Sequence, residues 1–253
     1  MIAIHSFRGG TGKSNTTANL AVLMTAAGNR VGIIDTDIQS PGLHVIFAQH
    51  TRDFKYALND FLWGNVDIEQ AAYDVTDAAI GDSDDDTSDR RLFLIPSSIN
   101  TGAIAKVLRE GYDVALLNEG FQRLIHKLEL DYLLIDTHPG VNEETLLSIA
   151  VSDALLLILR PDNQDFQGTS VTVELARRLD VGELLVVLNK VPSAMDQQAL
   201  RAQIVKTYEA EVIGLLPLNQ EVAQLASSAP FVNRYPDHPL THELKRIANR
   251  LMN

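Results

Sequence analysis

Phe7-Arg8-Gly9-Gly10-Thr11-Gly12-Lys13-Ser14 decides how this chain reads. The octapeptide ends an apolar run that starts at Ile2, and it precedes a stretch of helical period from Asn15 to Ala27. A glycine-rich loop between a strand and a helix can turn tightly and crowd backbone N–H groups around an anion. The positive end of the helix dipole then faces that anion. The core Gly9-x-x-Gly12-Lys13-Ser14 is complete, whereas the longer pattern Gly-x-x-x-x-Gly-Lys-[Ser/Thr] wants glycine where Phe7 stands. In such a loop the lysine reaches the β- and γ-phosphates of a nucleotide and the serine hydroxyl ligates Mg²⁺. Gly9, Gly10, Thr11, Gly12, Lys13, Ser14 and Asn15 are therefore the expected phosphate-binding set.

Outward from that loop, apolar runs of strand length alternate with stretches of helical period. Candidate strands are Ile2–Phe7, Val31–Asp35, Leu92–Ile95, Tyr132–Ile135, Ala154–Leu159, Leu184–Leu188 and Val212–Leu216. Most are continuous rather than alternating, as strands covered on both faces should be. Helices fit between them, for example Asn15–Ala27, Ile99–Glu110, Glu143–Val151, Gln167–Leu179 and Gln197–Tyr208. The expected fold is α/β with three layers, a mostly parallel twisted sheet carrying helices on both faces, of the P-loop NTPase kind. No internal repeat or linker divides the chain, so residues 1–253 are expected to form a single domain. Five carboxylates between Gly81 and Asp89 mark an acidic loop insertion at about 81–90, because self-repelling charges without apolar residues do not pack.

Composition narrows the function. The chain has no cysteine, which excludes disulfides, thiolate zinc sites and cysteine-ligated iron–sulfur clusters. No apolar run approaches the roughly 20 residues of a membrane span, and the N-terminus reads as a strand rather than a leader, so a cytoplasmic address is expected. The net charge of −12 argues against a surface coated for nucleic acid. The charge is uneven, however. From Pro192 onward six basic residues, Arg201, Lys206, Arg234, Lys245, Arg246 and Arg250, balance six carboxylates.

Two strands end in aspartates on the side of the sheet that carries the phosphate loop. Val31-Gly32-Ile33-Ile34 runs into Asp35-Thr36-Asp37, and Tyr132-Leu133-Leu134-Ile135 runs into Asp136-Thr137-His138-Pro139-Gly140. Ligands of open α/β sheets sit beyond the carboxyl ends of strands. An apolar run closed by Asp136 is similar to a Walker B element, whose carboxylate holds a Mg²⁺-bound water.

Taken together, these motifs resemble the ParA/MinD family of deviant Walker A ATPases, which position chromosomes, plasmids, division proteins and organelle-like cargo. The resemblance covers essentially the whole chain. It implies a slow, partner-stimulated ATPase that uses ATP and Mg²⁺ and forms a homodimer around two ATP molecules, releasing it on hydrolysis. It also implies an unidentified stimulating or adaptor protein. Asp37 would be the catalytic residue that orients water. Ser14, Asp37 and Asp136 would form the Mg²⁺ set, and Asn189, Lys190 and Pro217 the base-binding set. A regulator with little turnover and a metabolic amidase or ligase of the same superfamily are the alternative readings.

One departure concerns catalysis. The family's signature lysine, which reaches across the dimer to the partner's phosphates, corresponds to Arg8. Arginine keeps the charge and can fork onto phosphate, but it is bulkier and planar. Either Arg8 makes that contact or another base does, with Arg160 at the end of Ala154–Leu159 as second candidate. His138 stands where the family usually has proline. Phe61 and Trp63, with Leu58 and Leu62, read as core or as a dimer face. The amphipathic Leu240–Met252 segment reads as a closing helix rather than a membrane-surface helix. The six C-terminal bases make non-specific DNA one candidate matrix for the ATP dimer.

Asn189-Lys190 echoes the Asn-Lys base motif of GTPases but is followed by Val191-Pro192 instead of Asp. ATP is therefore expected to be preferred. In an equilibrium competition assay GTP at equal concentration should fail to displace labelled ATP, and displacement would reverse the base assignment.

Overall fold

Strands buried on both faces explain the continuous apolar runs. The computed structural model describes residues 1–47, 54–81 and 89–253. Within it β1 (Ile2–His5), β2 (Arg30–Asp35), β3 (Tyr73–Asp74), β4 (Arg91–Ile95), β5 (Tyr132–Asp136), β6 (Ala154–Leu159), β7 (Glu183–Val191) and β8 (Glu211–Pro217) form one sheet. Their order is β3-β4-β2-β5-β1-β6-β7-β8, and only the β3–β4 pair is antiparallel. Successive side chains of a strand point to opposite faces, and here both faces are dry. Ile2 and Ile4 enter one core cluster while Ala3 enters another, and Ile33 and Ile34 divide in the same way. The mostly parallel α/β fold expected from the sequence is the fold observed.

The helices are α1 (Lys13–Ala26), α2 (Leu43–Ile46), α3 (Leu58–Leu62), α4 (Thr76–Ile80), α5 (Thr101–Glu110) and α6 (Ala115–Lys127) in the first half. They continue as α7 (Glu143–Ala150), α8 (Asn163–Arg178), α9 (Gln197–Tyr208), α10 (Gln220–Leu225), α11 (Phe231–Arg234) and α12 (Pro239–Met252). On one face α1 and α12 pack together over β8 and the centre of the sheet. On the other, α8 and α9 cover the β6–β8 half, while α3 and α6 cover the β2–β5 half. Leu58, Phe61 and Leu62 are buried in the latter cluster with Trp63 against it, which places that segment in the core.

Differences from the expected boundaries have local causes. β1 stops at His5, two residues early, because Phe7 leaves the sheet line to seat its ring against Gly168 of α8. β7 continues to Val191 through a register irregularity, carrying Asn189 and Lys190 past the expected end at Leu188. Of the acidic stretch, residues 82–88 lie outside the described residues.

The last helix begins with Pro239 in its first turn, and the His238 ring accepts the Leu240 amide at 3.0 Å. Its apolar stripe, Leu240, Leu244, Ile247 and Ala248, is buried in the core shared with α1, so this face is already covered. Among the described residues no helix is long and apolar enough to cross a membrane. Leu244→Ala should cost about 2–5 kcal/mol through the cavity left between α12 and α1. Urea denaturation measures it, and a loss below about 0.5 kcal/mol would show that the α12 face is not a packed core surface.

Candidate functional site

Sheet register brings the strand-end aspartates level. Ile4 of β1 and Asp35 of β2 both pair with Asp136 of β5 at the carboxyl end of the sheet. Asp136 is buried and gathers the start of α1 around it. Lys13 Nζ lies 2.8 Å from Oδ1, the Thr17 hydroxyl donates to Oδ1 at 2.9 Å, and the Ser14 hydroxyl donates to Oδ2 at 2.6 Å. The one-turn spacing of Lys13, Ser14 and Thr17 lets all three meet a single carboxylate.

The loop itself is built for an anion. Gly12 caps α1 with φ 94°, a left-handed conformation suited to glycine, and a Cβ there would fall 2.3 Å from the Asn189 amide nitrogen. No side chain caps α1 and no acidic residue occupies its first turn, so its leading N–H groups are unshielded. Thr11 Oγ1 is buried without a hydrogen-bond partner, and the buried Lys13 ammonium has the Asp136 carboxylate on one side, with N–H groups left over. Buried donors of this kind are costly unless a ligand satisfies them. Asn189 donates to the Thr11 carbonyl at 2.7 Å, and Lys190 Nζ donates to the Gly10 carbonyl at 2.7 Å.

A cleft of about 230 Å³ opens beside the loop between α1, the end of β8 and α10. Asn15, Asn189, Lys190 and Pro217 all line it, with Leu216, Val222 and Leu244 as apolar wall. Such a cleft, apolar with a few convergent amides and adjoining an uncapped helix start, fits a nucleoside phosphate. For a divalent cation the donor set is sparse. Among the described residues no three His, Cys, Asp or Glu side chains cluster closely enough to hold a metal. Ser14 and Asp136 instead suit Mg²⁺, which is bound mainly through phosphate oxygens and waters.

Asp35 and Asp37 do different work. The Asp35 carboxylate accepts the amides of Asp37 (3.1 Å), Gly42 (2.9 Å) and Leu43 (3.1 Å), and so ties the turn after β2 into a closed loop. Burial and the nearby Asp136 carboxylate push Asp35 up to about 7, against the pull of Lys13 and the Gly42 and Leu43 amides. The Asp37 carboxylate accepts the Ser40 amide at 3.1 Å and faces His138 Nε2 at 3.8 Å. Burial raises its pKa, opposed by His138 and Lys13. Beneath the loop, His5 is fully buried and its Nδ1 lies 2.7 Å from the Thr137 hydroxyl. Burial first, then the charge of Lys13, lowers His5 to about 3, so its ring is neutral.

The two arginines differ in freedom. Arg160 is locked to the buried Asp165 by its backbone amide and by a bidentate guanidinium contact at 3.0 and 3.1 Å. Burial alone would raise Asp165, yet the Arg160 contacts hold it below its ordinary value. Removing the Arg160 side chain would leave that carboxylate with the Arg160 amide and the more distant Arg8 guanidinium. Arg8 is 41% exposed, donates to Gln164 and lies 3.8 Å from Asp165. It can swing away while Asp165 keeps its main partner.

Of the residues expected from the sequence, Lys13 and Ser14 meet Asp136, and Asn189 and Lys190 bond to the Thr11 and Gly10 carbonyls. Asn15, Asn189, Lys190 and Pro217 line the cleft, Asp37 faces His138, and Arg8 rests on Gln164. The six C-terminal bases do not form a free patch. Arg201 donates to the Val212 carbonyl, Arg246 pairs with Glu243, and Arg250 pairs with Glu183 and Glu211. Sequence reasoning overlooked Thr17, Asp35 as a turn fastener, His5 and Gly168. Thr17 was accessible through its i, i+4 spacing from Lys13, whereas the others depend on neighbours distant in sequence.

Residues 2–230 match the family described as CobQ/CobB/MinD/ParA nucleotide binding domain. An uncharacterized ATP-binding protein of Methanocaldococcus jannaschii is 28% identical over 99% of this chain and 87% of its own. The MinD cell division protein of Aquifex aeolicus superposes with a TM-score of 0.81 at 22% identity, covering 99% of this chain and 95% of that one. The septum site-determining protein MinD of Pyrococcus horikoshii, complexed with Mg-ADP, gives 0.80 at 19% identity over 99% and 94%.

A Cβ on Gly168 would lie 1.9 Å from the Phe7 ring. Gly168→Ala should therefore unseat the start of the phosphate loop. Overpacking should cost about 1–3 kcal/mol of stability, and the part of it that displaces the loop should weaken ATP–Mg²⁺ binding, by about tenfold for each ~1.4 kcal/mol. Calorimetry showing unchanged affinity would remove the Phe7–Gly168 contact from the site.

Proposed function

This chain belongs to the CobQ/CobB/MinD/ParA nucleotide-binding family, and we propose that it is an ATP-dependent, dimerising ATPase of the ParA/MinD kind that positions or partitions a cargo. One observation carries the reading: Lys13, Ser14 and Thr17 converge on Asp136 at the mouth of the Asn189–Pro217 cleft. Only a ligand with a polyanionic end and a flat, partly apolar end uses both halves of that arrangement.

In this reading residues 1–253 act as one ATPase domain in the cytoplasm. Lys13 places its charge against the β- and γ-phosphates, and the amides of Gly9 to Asn15 wrap the phosphate chain. Ser14 and Asp136 would hold Mg²⁺, the serine through its hydroxyl and the aspartate through an intervening water. The ion, when bound, neutralises charge building on the phosphate oxygens. Asp37 orients the attacking water. Asn189, Lys190 and the Pro217 segment hold the base.

Two triphosphates facing one another repel unless cations intervene, so dimerisation should need nucleotide, Mg²⁺ and a trans base. Arg8 suits that task better than Arg160, because its release from Gln164 leaves no buried charge alone. Arg8 resting on its own chain also favours a second reading, an ATP-binding regulator with little turnover. An adaptor protein would supply stimulation. DNA as the matrix rests on Lys206, Arg234 and Lys245 once the internally paired arginines are set aside, which is a thin base for phosphate binding.

Light scattering on a sizing column should show a monomer without ATP and a dimer with ATP–Mg²⁺. Asp37→Ala should trap the dimer while hydrolysis falls by about 10²-fold or more. A protein that is monomeric under every condition, including Asp37→Ala with ATP, would overturn the dimer. A wild-type dimer with negligible turnover would favour the regulator.

A further inference from the structure

His138 occupies the junction of the two aspartate-bearing loops. Its main chain is firmly held. The Thr145 hydroxyl at the start of α7 donates to the His138 carbonyl at 3.1 Å, and Asn142 in turn accepts the Thr145 amide at 2.8 Å. On the other side, the Thr137 amide and hydroxyl both donate to the Ile4 carbonyl, at 3.2 and 3.1 Å, and the Gly140 amide donates to the Ser6 carbonyl. The segment from Thr137 to Gly140 is thus stitched to β1 and α7, and the imidazole projects from a fixed base.

That ring faces one functional group. Nε2 lies 3.8 Å from Asp37 Oδ1, with side-chain exposures of 26% for His138 and 13% for Asp37. Among the described residues Asp37 has otherwise only the Ser40 amide within hydrogen-bonding distance of its carboxylate, and that amide belongs to its own turn. The turn is tied back by Asp35, whose bonds stay within the β2 loop. Of the contacts that the described residues make at the Asp37 carboxylate, the ring alone comes from the β5 loop. A carboxylate that must hold a water in line loses effectiveness if it swings by even about 1 Å, so an anchoring group on a separate rigid segment has a direct kinetic consequence.

We propose that His138 is a positioning residue: its imidazole steadies the Asp37 carboxylate from the β5 side, so that hydrolysis requires the β2 and β5 loops to be in place together. The proposal rests on the assignment of Asp37 as the water-orienting group. It assigns His138 no contact with nucleotide or metal. The ring acts through Asp37, so its removal should slow the chemical step and spare binding.

The test uses the full chain and four variants: Asp37→Ala, His138→Ala, His138→Gln and the Asp37→Ala/His138→Ala pair. Calorimetry gives ATP–Mg²⁺ affinity, and single-turnover hydrolysis of bound ATP gives the rate even when turnover is slow. His138→Ala should lower the rate about tenfold or more while affinity stays within about twofold. His138→Gln should recover most of the rate, because its amide N–H reaches toward the same carboxylate. The double variant should be no slower than Asp37→Ala alone, since both changes remove one function. A wild-type rate in His138→Ala beside a crippled Asp37→Ala overturns this inference alone. So does affinity that falls in step with the rate, or a double variant showing the product of the single losses. A wild-type rate in Asp37→Ala overturns the Asp37 assignment and this inference with it.

Discussion

The buried carboxylate of Asp136 is the group around which the rest of the structure is arranged. A carboxylate withdrawn from water is tolerable only with partners on its oxygens, and here these are the Lys13 ammonium and two hydroxyls from the first turn of α1. The contacts fix the rotation of α1 about its axis and therefore the direction of its leading N–H groups. They also tie β5 to the helix that follows β1, two strands that are neighbours in the sheet. An alanine at 136 would leave Lys13 buried without a counterion, and the phosphate loop would lose its floor.

From that anchor the polar network spreads through bonds that each have a backbone group on at least one side. Thr36 donates from both its amide and its hydroxyl to the Asp136 carbonyl, so the β2 loop is sewn to the end of β5. Asp35 then closes the β2 loop on itself. The arrangement places two carboxylates side by side in a dry region. Their mutual repulsion, added to burial, is what raises Asp35. The positive charge of Lys13 offsets part of this, which gives the lysine a stabilising role within the protein itself.

The phosphate loop is also held from the opposite face. Phe7, standing where the longer loop pattern has glycine, uses its ring as a wedge against α8, and Gly168 supplies the space. Arg8 follows it to Gln164 on the same helix. The first turn of α8 is thus coupled to the loop by an apolar and a polar contact in succession, while Asp165 just beside it is kept charged by Arg160. The ring that stands where the longer loop pattern has glycine is thus accommodated by a glycine distant in sequence.

The α/β class, the phosphate loop and the two strand-end aspartates were determined by sequence alone. Their physical signals are local: unbroken apolar runs for strands covered on both faces, glycines where a chain must turn around an anion, and carboxylates closing a strand. That Asn189, Lys190 and Pro217 would share one cleft was also legible, though through family likeness rather than spacing. Only the tertiary structure decided what depends on which segments meet. It separated Arg8 from Arg160, because a guanidinium's freedom depends on the burial of its partner. It halved the six-base count of the C-terminal quarter, because charge along the chain does not reveal that Arg201 donates to a backbone carbonyl and that Arg246 and Arg250 face carboxylates. It gave Phe7 its pocket, and it set His138 beside Asp37, two residues about a hundred positions apart that share a site because β2 and β5 are adjacent in the sheet.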